Sequence, residues 1–169
     1  MDATLLGTPI QAGEGVDKVL VSNIRELEKM ISRLLLLPSH PALFLLRNAF
    51  AIPKLLYILR TAPCSDSSEL AAYDQSLKSA LSTILNIELS PSACTQAGLP
   101  LRWGGIGIRF AHQLAPSAFL ASAAGVANLL PHILPSRVLA VEDKAVTRAE
   151  SAWSKLGGCT KPLHPVVEV

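Results

Sequence analysis

Cysteine, charge and aromatic side chains are all scarce in this sequence of 169 residues. The three cysteines, Cys64, Cys94 and Cys159, are odd in number and far apart. They provide neither a disulfide framework nor a paired-cysteine metal motif, which argues against the disulfide-rich secreted class and favours a reducing compartment. The apolar run at the N-terminus is too short for a secretory signal peptide. We therefore expect an intracellular protein, either cytoplasmic or nuclear.

Charged residues make up only 17% of the chain, whereas hydrophobic residues make up 50%. A soluble domain usually has about a quarter of its residues charged. An apolar excess of this kind is typical of a chain that packs on a further partner. It predicts that the isolated chain self-associates.

The sequence also has little of what catalysis requires. None of the four histidines is paired in the sequence with a serine or cysteine nucleophile. Cys159 and His164 are near each other but lack further ligands for a metal ion. A two-metal nucleotidyl-transfer site needs clustered aspartates, and the only adjacent acids are Glu142 and Asp143. We therefore predict that the chain is not an enzyme and holds no metal ion or cofactor.

One stretch, residues 110–136, contains no Asp, Glu, Lys or Arg. It is long enough to cross a hydrocarbon core of about 30 Å. However, it is rich in alanine and is interrupted by Pro116 and Pro131. These features favour two buried helices, 110–114 and 116–130, and we expect no membrane span.

Apolar residues recur at helical spacing along much of the chain. One set lies on a single face of a helix predicted to cover 16–37 and to stop at Pro38: Leu20, Ile24, Leu27, Ile31 and Leu34. A second set predicts a helix that is capped by Asp66 or Ser67: Leu70, Tyr73, Leu77, Leu81 and Ile84. Between them, Ser39 is the expected cap of a helix that must end or kink just before Pro53.

Weaker signals complete the expected fold. The sequence "TLLG" near the N-terminus predicts a short strand that leads into a turn. Ser90 and Pro91 begin a short helix that closes at Gly98, and a last helix is expected over 138–156. We predict a mostly α-helical, irregular bundle with a short N-terminal strand and turn.

The stretch "LPLRWGGIGIR", residues 99–109, interrupts the helical pattern with glycine. Gly104, Gly105 and Gly107 permit backbone angles or close approaches that a side chain forbids. They predict a packed structural turn within a partly extended connector. A backbone contact to nucleic acid is the alternative for this element.

The neighbouring apolar residues have their own expected places. Ile106 and Ile108 point the same way in an extended chain and can enter the helical core. Trp103 is expected to be partly buried in the core, with base stacking as the alternative. Tyr57 and Tyr73 are expected to be core aromatics.

Positive charge is concentrated between residues 18 and 60, which hold seven basic and two acidic residues. Such a segment attracts phosphates, although a solvated helix face has the same composition. Both interpretations stay open. The candidate nucleic-acid-binding residues are three from this segment and two that flank the glycines: Arg47, Lys54, Arg60, Arg102 and Arg109.

Five stretches occur in an order and spacing that resemble one known family. They are "LLGTPI", "FLLRNAFAIPKLLYILRTAPC", "YDQSLKSALSTILN", "QAGLPLRWGGIGIR" and "LAPSAFLASAAG". Together they resemble the segment that follows the catalytic palm in reverse transcriptases of non-LTR (LINE-like) retrotransposons. The resemblance covers roughly residues 4–130 and is weaker over 131–169.

The resemblance implies particular roles. Leu5, Leu6 and Gly7 match the turn of the primer-grip hairpin beside the polymerase active site. The helices that follow match a thumb that clamps the template–primer duplex. The basic residues that match the thumb segment near the duplex are Arg47, Lys54 and Arg60.

The family's catalytic Tyr/Phe-Ala-Asp-Asp motif and its other metal-binding aspartate lie upstream of the matched segment, and this sequence does not contain them. The resemblance therefore implies a non-catalytic fragment or derivative of an RNA-directed DNA polymerase. Its expected parts are a primer-grip remnant with a thumb-like region (1–98), a connector with C-terminal helices (99–156) and a loose tail (157–169).

The expected partners are an RNA or RNA–DNA duplex, bound weakly and without sequence preference, and the palm and fingers of a reverse transcriptase. The alternative is a helical interaction module, or a non-functional truncated retroelement reading frame, with no nucleic-acid role.

Overall fold

The computed structural model describes residues 4–5, 8–9, 13–135 and 143–157, and within them the chain is mostly α-helical, as predicted. Strands β1 (Thr4–Leu5) and β2 (Thr8–Pro9) pair antiparallel. The helices are α1 (Glu14–Leu34), α2 (Ser39–Leu45), α3 (Ile52–Thr61), α4 (Glu69–Leu85), α5 (Pro91–Gly98), α6 (Ala111–Val126), α7 (Leu130–Ile133) and α8 (Lys144–Lys155).

Helix α1 packs its predicted apolar stripe against the rest of the bundle. Its buried residues are Val16, Leu20, Leu27 and Leu34, and Ile24 and Ile31 are half-buried against the same core. The helix ends at Leu34 rather than at the predicted Leu37, and a turn leads to Pro38. Pro38 disfavours a helical conformation at Leu37, and the N–H groups of Leu36 and Leu37 bond to the carbonyls of Arg33 and Leu34, three residues back, instead of continuing the α-helix.

The segment 39–61 is interrupted just before Pro53, as predicted. Helix α2 passes into a π-helical turn (Leu46–Phe50), and Ala51, with φ −74° and ψ −117°, then separates this turn from α3. The phenol of Tyr73 donates to the carbonyl of Ala51 at 3.0 Å, inside the core. Burial raises the pKa of Tyr73, so its hydroxyl stays a proton donor. One buried bond therefore ties the backbone to α4 at the point where the helix breaks.

The two ends of α2 differ in their side-chain hydrogen bonds. Asn48 bonds the backbone before Pro53, since its Nδ2 donates to the carbonyl of Phe44 at 2.9 Å. The prediction that Ser39 caps α2 is wrong, because the helix begins at Ser39 itself and Pro38 occupies the capping position without a side-chain bond.

Helix α4 carries the second predicted stripe, and all of it is buried: Leu70, Tyr73, Leu77, Leu81 and Ile84. Ser67 lies just before the helix, where its Oγ accepts from the N–H of Glu69 at 3.3 Å and donates to Asp17 Oδ1 at 2.6 Å. This serine therefore ties the start of α4 to α1.

Two apolar clusters hold the bundle together. The first joins α1, α3, the start of α4 and α6 through residues that include Leu20, Leu55, Leu59, Leu70 and Ala115. The second joins the end of α1, α2, α4, α5 and the connector through residues that include Leu34, Leu46, Leu81, Ala97 and Ile108. Helices from both sides of residue 98 therefore share one packed interior.

The prediction that Pro116 separates two helices is wrong, because α6 runs through Pro116 without a break. A proline removes one backbone hydrogen bond and strains the preceding turn. Here Ala115 and Ala118 are buried in the first apolar cluster, which includes α3, and Pro116 is buried beside the cleft that α6 forms with α8. This burial offsets the strain.

Helix α8 is the described part of the last predicted helix. Asp143 caps it, since its Oδ1 accepts from the N–H of Ala145 at 2.8 Å. Residues 138–142 of the expected helix lie outside the described residues, as does the expected tail from residue 158 onwards.

The connector between α5 and α6 folds into a tight turn. Gly104 and Gly107 have positive φ values of 75° and 70°. Gly105 is buried so closely that an added Cβ would lie 1.9 Å from the carbonyl oxygen of Leu99. The turn then places Ile108 in the second apolar cluster, with Ile106 half-buried beside it.

The prediction of core positions for Trp103 and Tyr57 is wrong. Trp103 is 61% exposed and Tyr57 is 50% exposed. Trp103 ends the short 3-10 turn (Leu101–Trp103) before Gly104 reverses the chain, and Tyr57 lies off the buried stripe of α3 formed by Leu55 and Leu59. Tyr73 is buried, as predicted.

We expect the substitution Gly105→Ala to destabilise the protein by about 1–3 kcal/mol or more, because the backbone of Leu99 would have to move to admit a methyl group. Chemical unfolding with urea measures the effect. The control is Gly125→Ala in α6, where an added Cβ has no neighbour within 4 Å. That change should be neutral or stabilise by up to about 1 kcal/mol. Equal stability of the two variants would contradict the close approach at Gly105.

Candidate nucleic-acid interface

A groove of about 1020 Å³ lies between α4, α5, the end of the connector and the start of α6, and Trp153 of α8 also lines it. Its polar lining includes several side chains that can donate to an anion. Lys78 and Arg109 are its permanent cations among the described residues, and His112 lies beside them. The neutral polar side chains on its walls are Gln75, Ser79, Ser82, Thr83, Thr95, Gln113 and Ser117.

Lys78 and Arg109 reach the groove from different elements. Lys78 extends from α4, and its Nζ lies 5.3 Å from the ring centroid of Phe110, in a cation–π contact. Arg109 precedes Phe110 at the end of the connector and is exposed. The fold therefore brings together two cations that are far apart in the sequence.

Within the described part of the chain, Asp74 is the one carboxylate that lines this groove, and its oxygens are already engaged by the protein backbone. It is buried, and it accepts from the N–H of Ala111 at 2.6 Å and from the N–H of His112 at 3.0 Å. Phe110, at the capping position of α6, supplies no side-chain bond of its own. Asp74 therefore caps α6 from another helix and fixes the direction in which Arg109 and His112 leave the backbone.

Burial raises the pKa of Asp74 above the ordinary aspartate value. The two backbone hydrogen bonds from His112 and Ala111 act in the opposite direction, and so does the charge of Lys78. The net effect of burial is that the folded protein holds this proton more tightly than the unfolded chain does.

Of the five predicted nucleic-acid-binding residues, Arg109 lines the groove. Lys54 lies on α3, where its Nζ pairs with Glu26 Oε2 at 3.0 Å. Arg47 lies in the π-helical turn with its guanidinium against the connector, since a Cβ added at Gly107 would be 3.2 Å from its Nε. Neither residue lines the groove: Lys54 forms an exposed ion pair, and Arg47 contacts the connector.

The remaining predicted residues lie elsewhere. Arg60 is exposed near the end of α3 and does not line the groove. Arg102 lies on the 3-10 turn, with its guanidinium carbon 4.8 Å from the ring centroid of Trp103. Leu5, which resembles a primer-grip residue, is in β1, whereas Leu6 and Gly7 lie outside the described residues.

A second cleft, of about 630 Å³, lies between the start of α4, α6 and α8. Its cations are Arg148 and Lys155 of α8, and Asp66 is the one carboxylate that the described residues contribute to its lining. His112 borders this cleft as well as the groove. Basic side chains therefore continue from the groove across His112 to α8.

Sequence reasoning missed most of this surface. Lys78, His112, Arg148 and Lys155 are isolated in the sequence, and no local charge run marks them. The position of Asp74 could have been noticed in the sequence, because it lies beside Tyr73 of the predicted buried stripe of α4. A buried carboxylate without a hydrogen-bond partner is unfavourable, so a partner was to be expected. Its partners, the first N–H groups of α6, come from residues too distant for a local pattern to show.

The described residues offer little for metal binding or for a cysteine nucleophile. Between residues 13 and 135 and across 143–157, no three His, Cys, Asp or Glu side chains are grouped in a way that would hold a metal ion. Burial raises the pKa of the Cys64 thiol to about 11, so this cysteine stays protonated at neutral pH.

One helical stretch in the described chain, Ser39–Thr61, is long and apolar enough to cross a membrane by length and composition alone. It consists of α2, the π-helical turn and α3, and a core helix satisfies the same criterion. Leu46, Leu55 and Leu59 of this stretch are fully buried in the two apolar clusters.

Comparisons with known proteins give no further assignment. No protein-family model, no curated protein and no solved structure matches this chain. The case for a function therefore depends on the residues described above.

We expect Asp74→Ala to lower the free energy of unfolding by about 1–3 kcal/mol, because it leaves two N–H groups at the start of α6 without an acceptor. Asp74→Asn keeps one acceptor and should cost less. Stability should also depend on pH in a defined direction. Because the folded pKa of Asp74 is raised, the wild type should lose stability relative to Asp74→Asn as the pH rises from the ordinary aspartate pKa to the raised one, and then level off.

Urea unfolding at a series of pH values measures both effects. Asp143→Ala is the matched control, because Asp143 also caps a helix but is exposed. A pH-independent difference between the wild type and Asp74→Asn would contradict the assignment of a raised pKa to this carboxyl.

Proposed function

We propose that this protein binds nucleic acid without sequence preference, through contacts between phosphates and the groove at Lys78, Arg109 and His112. The observation that carries the proposal is the charge balance of the groove. Two permanent cations and a histidine face a cavity in which the one carboxylate among the described lining residues is buried and bonded to backbone N–H groups. Such a surface attracts a polyanion.

The neutral lining of the groove supports the same proposal. Hydroxyl and amide side chains are common donors to phosphate oxygens in nucleic-acid complexes. The hydroxyl protons of four lining residues are already donated to backbone carbonyls nearby in the sequence: Ser82, Thr83, Thr95 and Ser117. Gln75, Ser79 and Gln113 are therefore the neutral lining donors that remain for a phosphate, and none of them requires a particular base.

We further propose that the chain is a thumb and post-thumb segment of a reverse transcriptase of the non-LTR retrotransposon type. The order of its five motif-like stretches supports this origin, and a mostly helical fold is compatible with it. On this proposal the ligand is an RNA or RNA–DNA duplex, the palm and fingers of such an enzyme are a second partner, and the setting is intracellular. The chain itself would be non-catalytic and would need no cofactor.

The double variant Lys78→Gln/Arg109→Gln should bind an RNA–DNA duplex more weakly than the wild type. A plot of log K against log salt should also be less steep, by about 0.9 for each phosphate that the variant no longer neutralises. Filter binding over a range of salt concentrations measures both quantities. Lys29→Gln/Arg33→Gln is the matched control, because it removes the same charge from exposed positions of α1 that do not line the groove.

Equal weakening in the two double variants would show a general charge effect and contradict the groove. Absence of binding by the wild type at low ionic strength would overturn the nucleic-acid proposal altogether. In the same preparation, primer extension with Mg²⁺ and deoxynucleotides should give no product, and DNA synthesis would overturn the non-catalytic part.

A helical interaction module without a nucleic-acid role is the second candidate, and exposed apolar side chains favour it. Leu36 is 84% exposed and Phe44 is 64% exposed at the junction of α1 and α2. Ile133 and Leu129, at and before α7, are 73% and 55% exposed. Side chains of this kind mark surfaces that other proteins or copies can cover.

We expect the isolated chain to self-associate in a concentration-dependent way, because these apolar side chains gain from being removed from water. Size-exclusion chromatography with light scattering measures the mass. The variant Leu36→Gln/Phe44→Gln should shift the distribution towards the monomer. A wild type that is monomeric at every concentration would count against this second candidate.

A further inference from the structure

The turn between α5 and the end of the connector presents an exposed aromatic ring next to an arginine. Trp103 is 61% exposed, and the guanidinium carbon of Arg102 lies 4.8 Å from the centroid of its ring. A tryptophan that remains this accessible in a chain with so much buried apolar surface is not required by the core. Stacking between the two side chains leaves most of the indole surface in contact with solvent.

This pair is held on a rigid turn. The N–H of Trp103 donates to the carbonyl of Pro100 at 2.9 Å, and the N–H of Gly104 donates to the carbonyl of Leu101 at 3.0 Å. From α5, Gln96 Nε2 donates to the carbonyl of Gly104 at 2.9 Å. The backbone that carries Trp103 is therefore ordered before any ligand arrives, which lowers the entropic cost of binding.

The turn also joins two walls of the groove. Gly98 and Leu99, at the end of α5, line the groove on one side of the turn. After the turn, the N–H of Gly107 donates back to the carbonyl of Leu99 at 2.9 Å, and the chain continues to Arg109 in the groove. Trp103 and Arg102 do not line the groove themselves, but their turn lies between Leu99 and Ile108, which both do. A strand longer than the groove, with phosphates along Lys78 and Arg109, would therefore reach the turn that carries Trp103.

We propose that Trp103, supported by Arg102, is a stacking platform for an unpaired base of a nucleic-acid strand held in the groove. Every base has an aromatic face, so stacking on an indole needs no particular sequence. The adjacent guanidinium adds positive charge where the strand's phosphates are drawn in, which suits a nucleotide better than an uncharged apolar group. This inference rests on the proposed function of the groove and adds that the ligand has a single-stranded portion.

The test compares two single-stranded oligonucleotides of equal length and equal phosphate number, one with bases and one composed of abasic sites. The wild type should bind the base-containing strand about tenfold more tightly, which is the contribution expected of one stacked base. Trp103→Ala should remove this preference and leave binding of the abasic strand unchanged, whereas Trp103→Phe should retain part of it. Phe44→Ala is the control, since Phe44 is an aromatic residue of similar exposure on α2.

Tryptophan fluorescence provides a second readout. The fluorescence of Trp103 is obtained by subtracting the spectrum of Trp103→Ala from that of the wild type. The base-containing strand should quench this fluorescence, and the abasic strand should not. Equal affinity of the wild type for both strands, with binding still dependent on Lys78 and Arg109, would overturn the platform and leave the groove proposal intact. Equal weakening of both strands by Trp103→Ala would assign Trp103 a structural role and also overturn the platform. Failure of both single strands to bind a wild type that still binds the RNA–DNA duplex would overturn the platform alone, and failure of the duplex to bind as well would overturn the groove proposal.

Discussion

The buried carboxylate of Asp74 holds the walls of the groove in place. Its two bonds to the first N–H groups of α6 join that helix to α4, and between them lies the groove with Lys78 and Arg109. An isolated buried carboxylate is unfavourable, and a helix start without a cap is unfavourable too. Each offsets part of the cost of the other, so the pairing of α4 with α6 is specific in a way that apolar contact alone does not ensure.

This pairing also explains why the basic surface differs from the one that the sequence suggested. The run of positive charge between residues 18 and 60 lies mostly on α1 and α3, where Lys54 is paired with Glu26. Arg47, in the π-helical turn, packs on the connector. The groove instead collects cations that are solitary in the sequence. Tertiary placement therefore matters more than local charge density for where a polyanion would be attracted.

Much of the fold could be predicted from the sequence, because the spacing of apolar residues and the positions of prolines determine helices and their ends within a few turns of chain. The stripes of α1 and α4, the interruption before Pro53 and the short helix from Pro91 to Gly98 all have this origin. Continuity through Pro116 does not, because the proline and its neighbours in α6 are buried by elements that are distant in the sequence. The exposure of Trp103 could not be read locally either, since a tryptophan in an apolar, glycine-rich stretch resembles a core residue until the turn is folded.

The break at Ala51 limits how far the apolar stretch Ser39–Thr61 can reach across a membrane in its folded conformation. The apolar stretch Ser39–Thr61 contains 23 residues, yet it is divided into limbs, and α3 has only 10 residues. A limb of that length is about 15 Å long, half the thickness of a hydrocarbon core of about 30 Å. In the folded state neither limb is a rod that reaches from one leaflet to the other. Straightening the chain at Ala51 would break the hydrogen bond between its carbonyl and the Tyr73 hydroxyl. It would also remove leucines of this stretch from both apolar clusters.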